Sequence, residues 1–172
     1  MSAPRAAVTV RAVRPDDVPR VWGMLHDLAV YERLTHLLTG TPEMLRRALF
    51  EPEGARLEGL VAERPGGALA GYALFYPVYG SFRGRWRGWL EDLYVAPEAR
   101  GEGVGRALLA ALAGIARARG WYALDWEVLD WNAPAIGFYE RLGSRRIAAD
   151  WFRYRLSGEA LERLAEGMPV SA

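Results

Sequence analysis

The sequence contains no cysteine and only two histidines, His26 and His36. Disulfides, thiolate metal ligands and a nucleophilic cysteine are therefore excluded, and two isolated histidines do not indicate a metal site. No segment reaches the roughly 18 consecutive apolar residues of a membrane-spanning helix, and residues 1–13 lack the apolar segment of a signal peptide. We expect a soluble, cytoplasmic protein that binds neither a metal nor a membrane.

The sequence also lacks an excess of charge of either sign, because 22 basic residues balance 21 acidic ones. No long-range field therefore attracts nucleic acid to the whole surface. A chain of 172 residues is long enough to bury a core as one domain. We predict a single domain over residues 8–166, with terminal tails at residues 1–7 and 167–172.

Hydrophobic periodicity changes along the chain and predicts a mixed order of strands and helices. The predicted strands cover residues 8–13, 57–63, 68–79, 86–95 and 122–129, with one or two more within 144–156, and the predicted helices begin at Pro15, Thr41, Ala107, Asn132 and Ser157. Long strands joined by short turns indicate antiparallel pairing, with a single parallel crossover after residue 95. We predict an α+β fold with a mostly antiparallel, twisted sheet of about six or seven strands and helices on both faces.

The segment Arg100–Arg106, Arg-Gly-Glu-Gly-Val-Gly-Arg, connects a strand to a helix. We call it the glycine loop. Its three glycines allow positive φ angles and bring backbone N–H groups close to a ligand, and the N-terminus of the helix adds further N–H groups. We predict that the loop binds a diphosphate. Arg100 and Arg106 either contact the phosphates or are solvated charges at the start of the helix.

Two known phosphate-binding patterns do not fit this loop. The dinucleotide pattern G-x-G-x-x-G requires glycine at the position of Arg106, and the phosphate loop G-x-x-x-x-G-K-[ST] requires a lysine that is absent. Asp125, 22 residues after Gly103, stands near the expected place of a ribose-binding acid, but within a predicted strand rather than at its end. A dehydrogenase is therefore disfavoured.

The pattern R-x-x-G-x-G at residues 100–105 resembles the coenzyme A loop of the GNAT superfamily of N-acetyltransferases. Residues 131–143 resemble a second GNAT segment, W/N-x-x-A-x-x-F-Y-x-x-x-G. Residues 28–32, 90–92, 131–132 and 151–153 are similar to the diamine (spermidine/spermine) N-acetyltransferase branch. The resemblance implies the GNAT fold, acetyl-CoA as cofactor, direct transfer of the acetyl group to an amine, and a homodimer.

The resemblance also implies which residues hold acetyl-CoA. Leu93, Tyr94 and Val95 would pair with the pantetheine arm as an extra strand, and a backbone N–H at or next to Val95 would polarise the acetyl carbonyl. Asn132 would contact the pantetheine arm, and it also suits a helix cap. The residues expected around the diphosphate are Arg100, Gly101, Glu102, Gly103, Val104, Gly105 and Arg106.

Acetyl transfer to an amine needs a base, because an alkylamine at pH 7 is protonated about a thousandfold over its reactive form. Glu91 precedes the glycine loop and is the predicted base, acting directly or through a water, as the resemblance also implies. Alternation sends Glu91 and Asp92 to opposite faces of the strand unless a bulge intervenes, so Asp92 is predicted to be structural or electrostatic. Periodicity alone makes Tyr139 a core residue, whereas the resemblance makes it the general acid and a cofactor contact.

The resemblance further implies a substrate-binding group that consists of Tyr31, Glu32, Glu91, Asp92 and Trp151. Glu32 would hold a distal ammonium group of the acceptor, or it is an exposed helix end. We predict an acceptor that is a small molecule with a primary amine, such as a polyamine, a diamine or a lysine-like amino acid.

Arg83, Arg85 and Arg87 share a strand face that repels a polycation. They bind an acceptor's carboxylate, or they belong to a solvated hairpin or a dimer rim. Three alternative functions also remain: an acetyltransferase for protein or peptide amines, a non-catalytic coenzyme A-binding protein, and a platform for single-stranded nucleic acid built on nearby aromatic residues.

Overall fold

The computed structural model describes residues 8–51, 56–147 and 155–167. Within these ranges the strands are β1 (Thr9–Ala12), β2 (Glu58–Glu63), β3 (Leu69–Gly80), β4 (Arg85–Val95) and β5 (Leu124–Asp125), and the helices are α1 (Val18–Tyr31), α2 (Pro42–Phe50), α3 (Val104–Ala118), α4 (Ala133–Arg141) and α5 (Glu159–Gly167). The chain divides into two compact units, Met1–Leu129 with the sheet and Asp130–Ala172 with α4 and α5. Each unit is described by itself.

The five strands form one sheet in sequence order. The first four strands pair antiparallel with their neighbours, β1 with β2, β2 with β3 and β3 with β4. After the crossover through α3, β5 runs parallel to β4. The turn between β2 and β3 contains Gly66 and Gly67, both with positive φ (93° and 90°), which is the conformation that a tight hairpin turn requires. The predicted α+β class with a mostly antiparallel sheet is confirmed.

Helices cover both faces of this sheet, as predicted. Tyr72 and Leu74 of β3 belong to a buried cluster that also contains Met24 of α1. We call this side of the sheet the α1 face. Gly71 points to the other side by alternation, and a Cβ placed there would lie 3.4 Å from the Cδ1 atom of Leu108 in α3. The sheet therefore has α1 on one face and α3 on the other.

Two helices begin at the capping residues that the sequence predicts. Thr41 accepts a hydrogen bond from the backbone N–H of Met44 at the start of α2, and Asn132 accepts one from the N–H of Ala135 at the start of α4. Gly143 follows α4 with a φ of +88°, a conformation that ends a helix without steric cost. These local signals set the helix boundaries.

Two expectations about the strands are wrong. The strand predicted over residues 122–129 is only Leu124–Asp125, and residues 144–147 and 155–156 form no strand, so the described residues contain five strands rather than six or seven. The rest of the predicted closing strands, residues 148–154, lies outside the described residues. β5 is short because β4 bulges at Glu91, just beyond the last paired residues, and a bulge bends a strand away from its neighbour.

Helix α3 starts at Val104, three residues earlier than predicted. Gly105 therefore lies in the first helical turn, where it needs no positive φ. Only Gly101 and Gly103 of the glycine loop take positive φ angles, +80° and +88°. The loop proper is thus shorter than the sequence indicates, and the helix N-terminus lies closer to it.

Candidate active site

A β-bulge interrupts β4 at Glu91. Leu90 pairs with Phe75 and Asp92 pairs with Leu74, so the register leaves Glu91 without a partner on β3. Paired residues share a face of the sheet. Asp92 therefore lies on the α1 face with Leu74, whereas Leu90 lies with Phe75 on the opposite face.

The Glu91 carboxylate also lies on the α1 face. Its Oε2 atom accepts hydrogen bonds from the Tyr76 hydroxyl at 3.1 Å and from the indole Nε1 of Trp89 at 2.9 Å. Tyr76 and Trp89 are directly paired, and Tyr76 shares the face of Leu74 by alternation. The expectation of opposite faces for Glu91 and Asp92 is therefore wrong, because the bulge adds one residue to the strand.

Asp92 belongs to a partly buried acidic cluster on this face. Burial, with smaller contributions from the charges of Glu91 and Glu32, raises the pKa of Asp92 to about 7. Burial also raises the pKa of Glu32, which directly follows α1. We call Glu32, Glu91 and Asp92 the acidic cluster. It concentrates negative charge where an ammonium group would neutralise it.

The Tyr72 hydroxyl lies beside the acidic cluster. Tyr72 is fully buried, and its hydroxyl makes no hydrogen bond with any residue in the described part of the chain. Burial raises the pKa of Tyr72, and the charges of Asp92 and Glu32 add to the effect. A buried hydroxyl without a partner costs about 1–3 kcal/mol, so this group calls for an explanation.

Arg100 connects the end of α1 to the end of β4. Its guanidinium carbon lies 5.4 Å from the centre of the Tyr31 ring and 6.0 Å from that of the Tyr94 ring. Its Nε donates a hydrogen bond to the Val95 carbonyl at 3.2 Å. Tyr31, the last residue of α1, therefore lies near the segment predicted to bind the pantetheine arm. Trp151, the remaining predicted acceptor residue, lies outside the described residues.

The second half of β4 has one free edge. Pairing with β5 stops at Trp89 and Asp125, whereas pairing with β3 continues to Val95. Among the residues that the structure describes, no strand pairs with residues 93–95 on the β5 side. A free strand edge presents N–H and C=O groups to an extended ligand, so these residues fit the two amides of a pantetheine arm.

The glycine loop leaves space for an anion beside its backbone. A Cβ placed at Gly101 or Gly103 would have no atom within 4 Å, so the side of the loop where side chains would stand is open. Gly103 directly precedes α3, and no side chain caps this helix. The N–H groups of the first turn of α3 are therefore available to a ligand, and the loop fits the diphosphate of acetyl-CoA.

Glu102, a residue of the glycine loop, forms an ion pair with Arg64. The Nη2 atom of Arg64, in the turn after β2, lies 2.6 Å from the Oε2 atom of Glu102. A free carboxylate in the loop would repel a diphosphate, and Arg64 neutralises it. Arg106, in the first turn of α3, is exposed. Sequence reasoning missed Arg64, because the two partners are 38 residues apart and only the hairpin brings them together.

Tyr76 and Trp89 were missed as well. Trp89 lies two residues before Glu91, and strand alternation alone places both side chains on one face. That signal is present in the sequence. The Tyr76 contact depends on the register of β3 against β4, which the four-residue turn between the strands sets.

Arg85 and Arg87 lie on β4, whereas Arg83 lies in the turn before it, so the expectation that all three share a strand face is wrong for Arg83. We call Arg83, Arg85 and Arg87 the arginine row. Arg87 forms an ion pair with Asp125, with 2.8 Å between its Nε and the carboxylate Oδ2. The guanidinium carbons of Arg83 and Arg85 lie 5.3 and 5.9 Å from the centre of the Tyr122 ring. No carboxylate in the described ranges forms an ion pair with Arg83 or Arg85, so both charges are available to an anion. Asp125 is engaged by Arg87, which gives it a structural role.

Asn132 and Tyr139 belong to the second unit. Asn132 is buried, with 7% of its surface exposed, and caps α4. Tyr139 lies in α4, and its ring centre is 5.2 Å from that of Phe138. Their contacts with acetyl-CoA stay predictions.

Comparison with known proteins identifies the family. Residues 19–144 match the Acetyltransferase (GNAT) family. The chain is similar to the thialysine N-epsilon-acetyltransferase of Sus scrofa, with 35% identity over 169 residues that cover 93% of this chain and 98% of that protein. It is also similar to the L-ornithine N5-acetyltransferase NATA1 of Arabidopsis thaliana, with 29% identity and coverage of 90% and 86%. An integron cassette protein from the mobile metagenome of V. cholerae has the same fold, with a TM-score of 0.73, 24% identity and coverage of 96% and 99%.

These matches place the protein among the enzymes that transfer acyl groups. The chain belongs to the GNAT family of acetyltransferases, as the two sequence motifs predict. It is an N-acetyltransferase that uses acetyl-CoA. Its similarity to a spermidine/spermine N(1)-acetyltransferase-like protein of Homo sapiens agrees with the predicted diamine acetyltransferase-like branch. None of the helices in the described ranges has the length and apolar character to cross a bilayer, and in these ranges no three His, Cys, Asp or Glu side chains are placed to hold one metal ion together.

Proposed function

We propose that this enzyme acetylates the side-chain amine of a small diamino acid, such as ornithine or a lysine analogue. The observation that carries the proposal is the position of Glu91. Two donors, Tyr76 and Trp89, hold its carboxylate on the α1 face, close in sequence to the free edge of β4. A base held in this way suits an amine that must lose its proton before it reacts.

The acetyl thioester of acetyl-CoA supplies the carbonyl carbon that the amine attacks. Glu91 removes one proton from the acceptor ammonium, directly or through a water, and so removes a handicap of roughly 4 kcal/mol at pH 7. A backbone N–H at or next to Val95 polarises the carbonyl. Tyr139 donates its hydroxyl proton to the leaving sulfur and regains a proton when the nitrogen loses its second one. Residues 8–166 act as one acetyltransferase domain. Asn132 and the glycine loop hold the rest of the cofactor.

The choice of a diamino acid rests on charges of both signs. Glu32 and Asp92 suit an ammonium group, while Arg83 and Arg85 suit a carboxylate. The similar proteins named for thialysine and ornithine acetylation act on amino acids that carry both groups. A polyamine offers no carboxylate to the arginine row.

A homodimer and a cytoplasmic location complete the proposal. Phe82 is fully exposed at the turn between β3 and β4, and half of the Trp86 surface is exposed nearby. Exposed aromatic residues in one place suit a protein contact. Sedimentation of the purified chain tests the dimer, and a monomeric Phe82→Ser variant would support this surface as the interface. A wild-type chain that sediments as a monomer would contradict it.

An acetylation screen tests the activity itself. The acceptors are L-ornithine, lysine analogues, 1,4-diaminobutane, spermidine and a peptide with a free N-terminus. We expect acetyl transfer to L-ornithine with a higher kcat/KM than to the diamines. Because the chain contains no lysine, labelled acetyl groups on the protein would not arise from lysine side chains. Preference for the peptide, or coenzyme A binding without any transfer, would support the alternative functions instead.

A further inference from the structure

The backbone of the glycine loop does little to fix the direction of the Glu102 side chain. Glu102 lies between Gly101 and Gly103, whose φ angles are +80° and +88°. Glycine has more backbone freedom than any other residue, so a side chain between two glycines can turn easily. The position of the Glu102 carboxylate therefore depends on its partner, Arg64.

The turn that carries Arg64 is held more firmly. The N–H of Arg64 donates a hydrogen bond of 2.8 Å to the Ala68 carbonyl, and the Arg64 carbonyl accepts one of 3.0 Å from the N–H of Gly67. Pro65 as the second residue and a φ of +93° at Gly66 are features of a type II turn. Two backbone hydrogen bonds and a proline thus fix the point from which the Arg64 side chain extends.

The ion pair lies where its charges affect an anion in the glycine loop. One third of each side chain is exposed, so solvent screens the two charges only in part. A Cβ at Gly101 or Gly103 would have no atom within 4 Å, so the space on either side of Glu102 is open. A Glu102 carboxylate released from Arg64 can turn into this space, where it would repel a diphosphate.

The first arginine of the loop is engaged elsewhere. The Arg100 guanidinium lies against the rings of Tyr31 and Tyr94, near the end of α1. Within the ranges that the structure describes, the cation that forms an ion pair with Glu102 is Arg64, from a different hairpin. The charge of the loop carboxylate is thus balanced from the turn between β2 and β3.

We propose that Arg64 is a positioning residue of the cofactor site and acts through Glu102. Its guanidinium holds the carboxylate at the hairpin turn and so keeps a negative charge out of the place of the diphosphate. The inference rests on the part of the proposed function in which the glycine loop binds the diphosphate of acetyl-CoA, and it is independent of the acceptor. Arg64 contacts neither substrate, so it sets the affinity for the cofactor and not the rate of transfer.

Three variants test the role of the charge, with calorimetry of coenzyme A binding at low salt. Arg64→Gln leaves the Glu102 carboxylate without its cation and should weaken binding about tenfold. Glu102→Gln removes the charge and keeps an amide that can still reach Arg64, so it should bind coenzyme A at least as tightly as the wild type. The double variant has no unpaired charge, and its affinity should return to within a factor of about three of the wild type.

Two controls separate this role from others. Arg47→Gln removes the same charge from an exposed ion pair on α2 and should leave coenzyme A affinity unchanged. Dephospho-coenzyme A keeps the diphosphate and lacks only the phosphate on the ribose, so Arg64→Gln should weaken its binding by the same factor. At saturating acetyl-CoA, kcat of Arg64→Gln should equal that of the wild type, because the reacting groups are unchanged.

Equal weakening by Arg64→Gln and by Glu102→Gln would show that the pair only supports the structure, and it would overturn the inference. A double variant that binds as weakly as Arg64→Gln would also overturn it, and so would an Arg64→Gln variant that binds like the wild type. A loss seen with coenzyme A but not with dephospho-coenzyme A would place Arg64 at the ribose phosphate instead and contradict the inference.

The proposed function is judged separately. Acetyl transfer to L-ornithine, together with wild-type coenzyme A affinity in Arg64→Gln, would leave the function standing and remove the role of Arg64. Transfer to another kind of amine would change the proposed acceptor and leave the role of Arg64 intact. A wild-type protein that does not bind coenzyme A would remove the cofactor site and this inference with it.

Discussion

The indole Nε1 of Trp89 donates a hydrogen bond of 2.9 Å to the Glu91 carboxylate, two residues further along β4. The contact is possible because the Glu91 side chain stays on the face of Trp89, although the bulge shifts the residues that follow. A carboxylate held in this way has a fixed position from which to meet an incoming ammonium. The role of Glu91 as the base is therefore the first property to test.

Glu91→Gln should lower kcat about a hundredfold and leave coenzyme A affinity unchanged, since an amide keeps the shape but cannot accept the proton. Steady-state kinetics measures kcat, and calorimetry measures the affinity for coenzyme A. Glu98→Gln, in the exposed turn after β4, is the matched control and should behave like the wild type. A rate within a factor of about three of the wild type in Glu91→Gln would remove its role as base.

Tyr139→Phe should reduce kcat by a similar factor of about a hundred, because the leaving sulfur loses its proton donor. Coenzyme A should bind with unchanged affinity, as the ring remains. Tyr79→Phe serves as the control, since about half of the Tyr79 surface is exposed. Acetylation measured with an excess of both substrates gives kcat directly. An unchanged kcat would show that Tyr139 has only a packing role in α4.

Gly103→Ala should weaken coenzyme A binding about tenfold, because a residue with a Cβ resists the positive φ of this position by roughly 1–2 kcal/mol. Gly114→Ala is the matched control. Gly114 lies exposed within α3 with open space around it, so alanine there should stabilise the helix by about 0.5–1 kcal/mol and leave binding unchanged. Equal coenzyme A affinity in both variants would argue against the glycine loop as the diphosphate site.

Much of this fold is predictable from the sequence, since its signals are local. The alternation of apolar and polar residues predicts strands β1, β2, β3 and β4. Thr41 and Asn132 mark the starts of two helices. The glycine loop is predictable for the same reason. The bulge at Glu91 is not, because it depends on how β4 pairs with β3, and single-residue register errors move every later side chain to the other face.

The same limit explains the missed site residues. The Arg64 partner of Glu102 lies on another hairpin, and no short-range pattern relates the two. Tyr72 is buried because α1 packs on β3. The pKa of Asp92 is raised by the burial of Asp92 itself, together with the charges of Glu91 and Glu32. Such properties arise from tertiary contacts between distant segments.

Arg85→Gln should raise KM for L-ornithine about tenfold, with little change for 1,4-diaminobutane, which is ornithine without its carboxylate. The reason is the loss of a charge-assisted contact to that carboxylate. Arg46→Gln, on the exposed side of α2, controls for the change in net charge. If both acceptors lose the same factor, the arginine row supports the hairpin or a dimer contact and does not select the substrate.

Asp92→Asn should stabilise the fold at high pH and leave it nearly unchanged at low pH. Folding raises the pKa of Asp92 from 3.8 to about 7, so the folded state binds more protons than the unfolded state between these values. Stability therefore falls as pH rises through this window, by up to about 4 kcal/mol above pH 7, and asparagine removes that loss. Urea unfolding of both proteins at pH 4 and pH 8 measures the difference. A gain at pH 8 no larger than the gain at pH 4 would show that Asp92 ionises freely in the folded protein, and the acidic cluster would then impose no cost that an ammonium ion relieves.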